Sequence, residues 1–256
     1  MNIGIKRSYK TKPIFRYSKN LVRQLWINKS KCMKKFLVIP LFLSVCFCSA
    51  QKLQSFKGHC GLYYKSIDDL YQQKRRELNF YNFQPGQIVA SIGAQCCNWE
   101  AAFAAATDSV HFFLEDIDST YFNSKQASFA WNYYSGISGK PMSSTYQLVL
   151  GDEKKTNLPE KLFDKVIIIN SFHEFTHQKE MLEDIAHKLK PGGLLYIDET
   201  LARRSGEIHH GCGKRIYLDE ELVLILKGNG YEYVDGIVMN YRKSKPARKV
   251  SAFSKL

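Results

Sequence analysis

The chain has 256 residues, 45% of them hydrophobic and 24% charged, with 7 cysteines. That is enough apolar content for one packed core and too little cysteine for a scaffold held mainly by disulfides. A formal net charge of +13 would suggest a nucleic-acid or membrane-surface partner, but the first 50 residues hold 11 of the 37 Lys and Arg and no acid, leaving 26 against 24, or +2, for the rest. Nucleic acid is therefore not an expected partner.

The basic excess belongs to a leader. Lys34 and Lys35 precede an apolar run from Phe36 to Cys48, and Cys48-Ser49-Ala50 makes a small-residue cleavage site, the layout of a secretory signal peptide cut before Gln51. The run falls short of the ~20 residues of a spanning helix, so no stable membrane span is expected after cleavage. Met33 is a candidate start, which would make residues 1–32 a basic extension. The expected organisation is a leader over 1–50 and one domain over 51–256, with export to a periplasmic or extracellular compartment. The alternatives are a lipid anchor through Cys46, after Leu43-Ser44-Val45, and a cytoplasmic location. Four cysteines follow the leader: Cys60, Cys96, Cys97 and Cys212. Adjacent Cys96 and Cys97 cannot easily bond each other, so a disulfide is expected to involve Cys60 or Cys212.

Beyond residue 65, helical and strand-like runs alternate. Residues 66–82 predict a helix opening from a Ser66 cap with acids in its first turn. Short apolar, β-branched runs follow at 88–92, 111–115, 146–150, 165–169 and 194–198, the pattern of buried parallel strands. Helices are predicted at 98–107, at 177–189, where Leu182, Ile185, Ala186 and Leu189 share a face before Pro191-Gly192-Gly193, and at 219–228. The last runs, 231–239 and 249–253, read as an antiparallel pair at a sheet edge. The basic residues Arg242, Lys243, Lys245, Arg248 and Lys249 between them read as a solvated face. This alternation calls for an α/β fold, a doubly wound, mostly parallel sheet with helices on both faces.

Five segments, in order, resemble the class I S-adenosylmethionine-dependent methyltransferases over nearly all of residues 66–256. IVASIGAQCCNWEAAFAA occupies the place of the glycine-rich cofactor loop, keeping Gly93; Ser91 stands for the family's acidic residue, Gln95 for its second glycine and Cys97 for its third. HFFLEDIDST ends a strand in acids, of which Asp116 aligns with the carboxylate that holds the ribose diol, Glu115 and Asp118 being its neighbours. Gly151-Asp152 matches the acid near the adenine amino group, and Leu158-Pro159 and Phe163-Asp164 match landmarks before strand four. Asn170, Ser171 and Phe172 stand at the strand-four exit, and LEDIAHKLKPGGLLYIDET matches the helix, Lys-Pro-Gly-Gly turn and fifth strand.

The resemblance implies a seven-stranded Rossmann-like sheet of order 3-2-1-4-5-7-6 with an antiparallel last strand. It implies S-adenosylmethionine as cofactor, bound by Ser91, Gly93, Ala94, Gln95, Asp116, Ile117, Asp152, Asn170 and Phe172, and methyl transfer to a small-molecule acceptor. Alignment of acceptor and methyl carries such chemistry and a general base is optional. His173 and Glu174 follow strand four as candidate proton acceptors. His210 and Cys212, in the loop after strand five, are candidate acceptor contacts.

His173-Glu174-Phe175-Thr176-His177 also spells the zinc-protease motif, with Glu180, Glu183 or Glu199 as a conceivable third ligand. That chemistry needs both histidines on one helix face, whereas here the motif follows a strand and helical periodicity starts near Thr176. No metal ligand is assigned; His209, His210 and Cys212 would need a partner from elsewhere, such as His173. A domain that keeps the pocket but has lost catalysis is the main alternative to the enzyme, and a secreted zinc peptidase the third reading.

Overall fold

The computed structural model describes residues 60–61, 64–242 and 245–256. The expected leader, its cleavage site, Met33, Cys46 and Lys243 lie outside the described residues.

Seven strands form one sheet. β1 (Ile88–Ile92), β2 (His111–Asp116), β3 (Thr145–Leu150), β4 (Phe163–Ile169) and β5 (Leu189–Thr200) run parallel, while β6 (Tyr231–Arg242) and β7 (Lys245–Lys255) close the far edge. β7 pairs antiparallel with β5 and β6 antiparallel with β7, giving the order β3-β2-β1-β4-β5-β7-β6. Both the order and the antiparallel pair are as expected from the sequence.

Period-two alternation explains why both faces are covered. Val89, Phe112, Ile167, Tyr196 and Ala252 point to one layer, where α1 (Ile67–Tyr81), α2 (Asn98–Ala106) and α3 (Ser124–Ser138) pack. Ala90, Val166, Ile168, Leu195 and Phe253 point to the other, under α4 (Gln178–Lys188) and α5 (Asp219–Gly228). Burying apolar strands on both sides requires such a sandwich, since an isolated face would leave large side chains in water. The Ser66 cap is real: its hydroxyl accepts from the Asp69 amide at 3.1 Å.

Three sequence expectations change. α3 was not foreseen; Asn123 caps it, accepting from the Gln126 amide at 3.0 Å, and Gly139 ends it with φ +68°. Lys190-Pro191-Gly192-Gly193 is not a free turn, because β5 starts at Leu189, which pairs with Phe163, and Gly193 lies so close to the Phe163 carbonyl that a Cβ there would stand 2.8 Å away. The basic tail is not simply a solvated face. Arg248 forms a bidentate pair with buried Asp198, at 2.7 and 2.6 Å, and Lys249 bonds Asp219 at 2.8 Å. Strand pairing brings these acids under the bases, which no local pattern shows.

Candidate functional site

The carboxyl ends of β1, β2, β4 and β5 meet on one edge, the general position for a ligand in an open parallel sheet. Gly93 leaves β1 with φ +74°, and its amide and that of Ala94 both donate to the Glu115 carbonyl at 2.9 Å. A Cβ on Gly93 would meet the Ser171 hydroxyl oxygen at 2.5 Å, so only glycine brings the two strand ends this close.

Gln95 and Cys97 adopt φ +43° and +57°. The loop thus keeps the left-handed backbone that glycine would favour, at a cost of about 1 kcal/mol for each side chain. Two tethers hold it there. The Gln95 amide donates to Asp116 Oδ2 at 2.8 Å, and Cys60 bonds Cys96, with Cα atoms 5.4 Å apart. The Asn98 side chain also donates to the Gly61 carbonyl at 2.8 Å, so the segment before α1 is docked on this loop.

Ser91, where an acid was expected from the family pattern, donates to Glu100 Oε1 at 2.6 Å. Glu100, in the first turn of α2, therefore puts a buried carboxyl beside the end of β1. Burial raises it to about 7 against the opposing Ser91 hydrogen bond, and its Oε2 has no partner among the described residues. Nothing in the sequence flagged Glu100, because an acid in the first turn of a helix is ordinary there; only the fold turns it towards Ser91.

At the end of β2, Asp116 accepts one backbone amide on each oxygen, from Gln95 and from Asp118, the latter at 2.8 Å. Each oxygen keeps a second lone pair, which is what a diol needs. Burial nonetheless raises the Asp116 carboxyl above its ordinary range, opposed by these amides. Ile117 beyond it is exposed. Glu115 points the other way, is buried, and is pushed up to about 9 by burial and by the Asp116 charge, so it is a neutral acid near pH 7. Its carboxyl fills the space over Gly151, where a Cβ would overlap it. Asp152 is exposed, with Oδ1 accepting from the Lys154 and Lys155 amides at 2.8 and 2.9 Å; these bonds hold its carboxyl below the usual range.

At the exit of β4, Asn170 has φ +53° and its Oδ1 accepts from the Thr200 hydroxyl at 2.8 Å, joining β4 to β5. The Phe172 ring is buried in the core against Phe175 and Tyr217 rather than open to the edge. His173 follows in a 3-10 turn, Phe172–Glu174, and is buried. Its Nδ1 lies 2.9 Å from Glu199 Oε2 and its Nε2 3.3 Å from Cys212 Sγ. Burial disfavours the imidazolium, but the Glu199 hydrogen bond and charge outweigh it and raise His173 above its ordinary value. Glu174 stays half-exposed, 3.8 Å from His173 Nε2.

The H-E-x-x-H spelling does not form a zinc-protease helix. His173 sits in the 3-10 turn, His177 is the cap residue of α4, and His177 instead faces Glu153 and Glu180 at 3.5 and 3.6 Å. The loop after β5 folds over this corner. His209 Nδ1 lies 3.3 Å from Cys212 Sγ, while His210 lines a neighbouring cavity of about 70 Å³ with Arg203, Ile208 and Ala247. That space suits a few waters rather than a cofactor. A larger groove lined by Lys161, His187, Pro191 and Leu256 opens beside the Lys190–Gly193 segment, and none of the candidate cofactor or acceptor residues lines it.

A family model described as a methyltransferase domain matches residues 122–197. Solved structures share the fold. A SAM-dependent methyltransferase from Methanosarcina mazei aligns with TM-score 0.55 and 16% identity over 70% of this chain and 97% of that one. A SAM-dependent methyltransferase from Geobacter sulfurreducens, in complex with S-adenosyl-L-homocysteine, aligns with TM-score 0.53 and 13% identity over 72% and 91%. The [4+2]-cyclase SpnF aligns with TM-score 0.54 and 17% identity over 74% and 79%. No curated protein sequence matches the chain. The fold is that of the class I methyltransferases, and the resemblance read from the five segments is borne out.

Proposed function

We propose that this chain is a class I methyltransferase that binds S-adenosylmethionine along the carboxyl ends of β1 and β2 and methylates a small acceptor held between β4 and the loop after β5. The observation that carries the reading is the Gly93–Cys97 loop, which keeps the glycine-type backbone without the glycines. The residues present suit the cofactor. Asp116 retains a lone pair on each oxygen for the ribose hydroxyls, Ile117 offers an exposed apolar surface beside it, and Asp152 keeps Oδ2 for an amino group. Gly93, Ala94 and Gln95 carry the close backbone approach, and Glu100 supplies a carboxyl group where Ser91 has none.

The cofactor, when bound, supplies an electrophilic methyl group on a sulfonium. The chain's own part is to orient the acceptor and receive its proton. Glu174 is the accessible proton acceptor, since His173 is buried with both ring nitrogens engaged. Asn170 and Thr200 fix the spacing of the two strand ends that flank the acceptor, with His210 lining the small cavity beside it and Cys212 against His173.

A second reading, a binding protein without catalysis, is favoured by one feature: the cofactor loop is stapled by the Cys60–Cys96 disulfide. Disulfides persist in oxidising compartments, which supports the export proposed from the leader. Calorimetric titration of the full-length chain with S-adenosylmethionine tests the first reading. It expects micromolar binding that Asp116→Ala weakens at least tenfold and a labelled methyl group passed to some acceptor in a small-molecule screen. Binding without any transfer would favour the second reading, and no binding would sink the pocket assignment.

A further inference from the structure

Two loops distant in sequence converge on one point at the carboxyl edge of β4 and β5. His173 comes from the turn after β4, and His209 and Cys212 come from the loop after β5. Their ligand atoms all lie within 4.8 Å of one another. We propose that His173 Nε2, His209 Nδ1 and Cys212 Sγ bind one zinc-class divalent cation, with its fourth position left to water.

The distances suit the ion. A tetrahedral zinc with about 2.3 Å to sulfur and about 2.0 Å to nitrogen holds those two atoms about 3.5 Å apart. Both sulfur–nitrogen distances here are 3.3 Å, to His173 Nε2 and to His209 Nδ1. A thiol can donate to one of these nitrogens and accept from the other, and a thiolate with two neutral imidazoles around a cation satisfies all three as well. The set of two nitrogens and one sulfur is borderline-soft, which selects a zinc-like ion over magnesium or calcium.

The second layer fits as well. Glu199 is buried and accepts from His173 on both its oxygens: Oε2 lies 2.9 Å from Nδ1 and Oε1 3.3 Å from the backbone nitrogen. With the ring proton on Nδ1, facing the Glu199 carboxylate, the Nε2 lone pair is aimed at Cys212, the carboxylate–histidine arrangement that orients metal ligands. The loop is built for a chelate. His209-His210-Gly211-Cys212 closes on itself through the Gly213 amide to the His209 carbonyl at 2.9 Å and the His209 amide to the Lys214 carbonyl at 2.7 Å. Gly213 has φ +71°. A Cβ on Gly211 would press within 3.2 Å of the His209 ring.

This site uses only the first histidine of the protease motif and does not need His177. It stands beside the proposed acceptor, where the cation would pin the β5 loop across the strand-four exit; its existence does not depend on the methyl-transfer reading.

The test uses tag-free, full-length chain stripped with a chelator. Zinc is titrated in competition with a chromogenic chelator, and cobalt is substituted for its thiolate charge-transfer absorption. One equivalent of zinc is expected, with the cobalt–thiolate band present in the wild type and lost in Cys212→Ser. His209→Ala, at a partly buried position, and Cys212→Ser, at an exposed one, should each weaken zinc at least tenfold. Glu199→Gln should weaken it by about tenfold or more while keeping the band. His177→Ala should bind as the wild type does. Failure to take up zinc, or uptake that Cys212→Ser and His209→Ala leave unchanged, overturns the site, as does loss of binding in His177→Ala.

Discussion

Glu115 and Asp116 are adjacent acids with opposite fates, because successive residues of a strand point to opposite faces. Asp116 turns to the edge and collects backbone amides; Glu115 is buried over Gly151 with one oxygen unpartnered among the described residues. Burial and the Asp116 charge raise Glu115 to about 9. A carboxyl whose folded pKa lies above its unfolded value binds a proton more readily when folded, so its favourable contribution is complete below about pH 4.5 and is lost as pH rises through about 9. Urea midpoints measured at pH 5, 7 and 9 should therefore fall for the wild type, while Glu115→Gln should flatten that fall and be the more stable protein at pH 9. An unchanged slope in Glu115→Gln would show that Glu115 ionises normally. The two acids were visible in the sequence as a pair; which of them faced the ligand edge depended on register.

At the scale of elements, the docking of the segment before α1 onto the α2 entry carries weight. The Cys60–Cys96 bond spans a sequence separation of 36 and lands between Gln95 and Cys97, which this loop holds in left-handed conformation without being glycine. Closing a loop of that length reduces the freedom of the unfolded chain by about 4 kcal/mol in the chain-entropy model. Cys96→Ser, or mild reductant, should lower the melting temperature by several degrees and also weaken S-adenosylmethionine, because the loop loses a tether that offsets its strain. Lower stability with unaltered affinity would mean that the Asp116–Gln95 bond alone holds the loop. The sequence narrowed the disulfide to Cys60 or Cys212, and the fold chose Cys60, since Cys212 lies beyond β5 beside His173. α3 had its signals in the sequence too, Asn123 before it and Gly139 after it, but its aromatic-rich interior disguised the periodicity.

Across the whole molecule, α1 is clamped to the sheet by a buried charge network. Arg248 of β7 forks onto Asp198 of β5, Tyr81 donates to the same carboxylate at 3.2 Å, and Lys74 pairs with Glu77 at 2.6 Å. Removing one member of such a set leaves an uncompensated buried charge, typically at a cost of roughly 3–5 kcal/mol. Arg248→Ala should cost about that much in urea unfolding, and adding Asp198→Asn should cost little more, because the stranded carboxylate is then gone. Additive losses would show that the two residues act separately. Among the described residues no helix is long and apolar enough to cross a membrane.

The sequence by itself determined the strand order along the chain, every helix except α3 and the parallel sheet with its antiparallel edge, because these follow from apolar periodicity, while Gly93 and Asp116 were singled out by the family resemblance. The tertiary structure decided what distant residues do together. Glu100 accepts a hydrogen bond from Ser91, Arg248 and Lys249 find buried or partly buried acids, and His173 meets His209 and Cys212 while His177 goes elsewhere. Each of these depends on which strand ends lie side by side and which way a side chain leaves its strand. Those are properties of the sheet's register and crossovers, and a linear pattern carries them only once the whole core has formed.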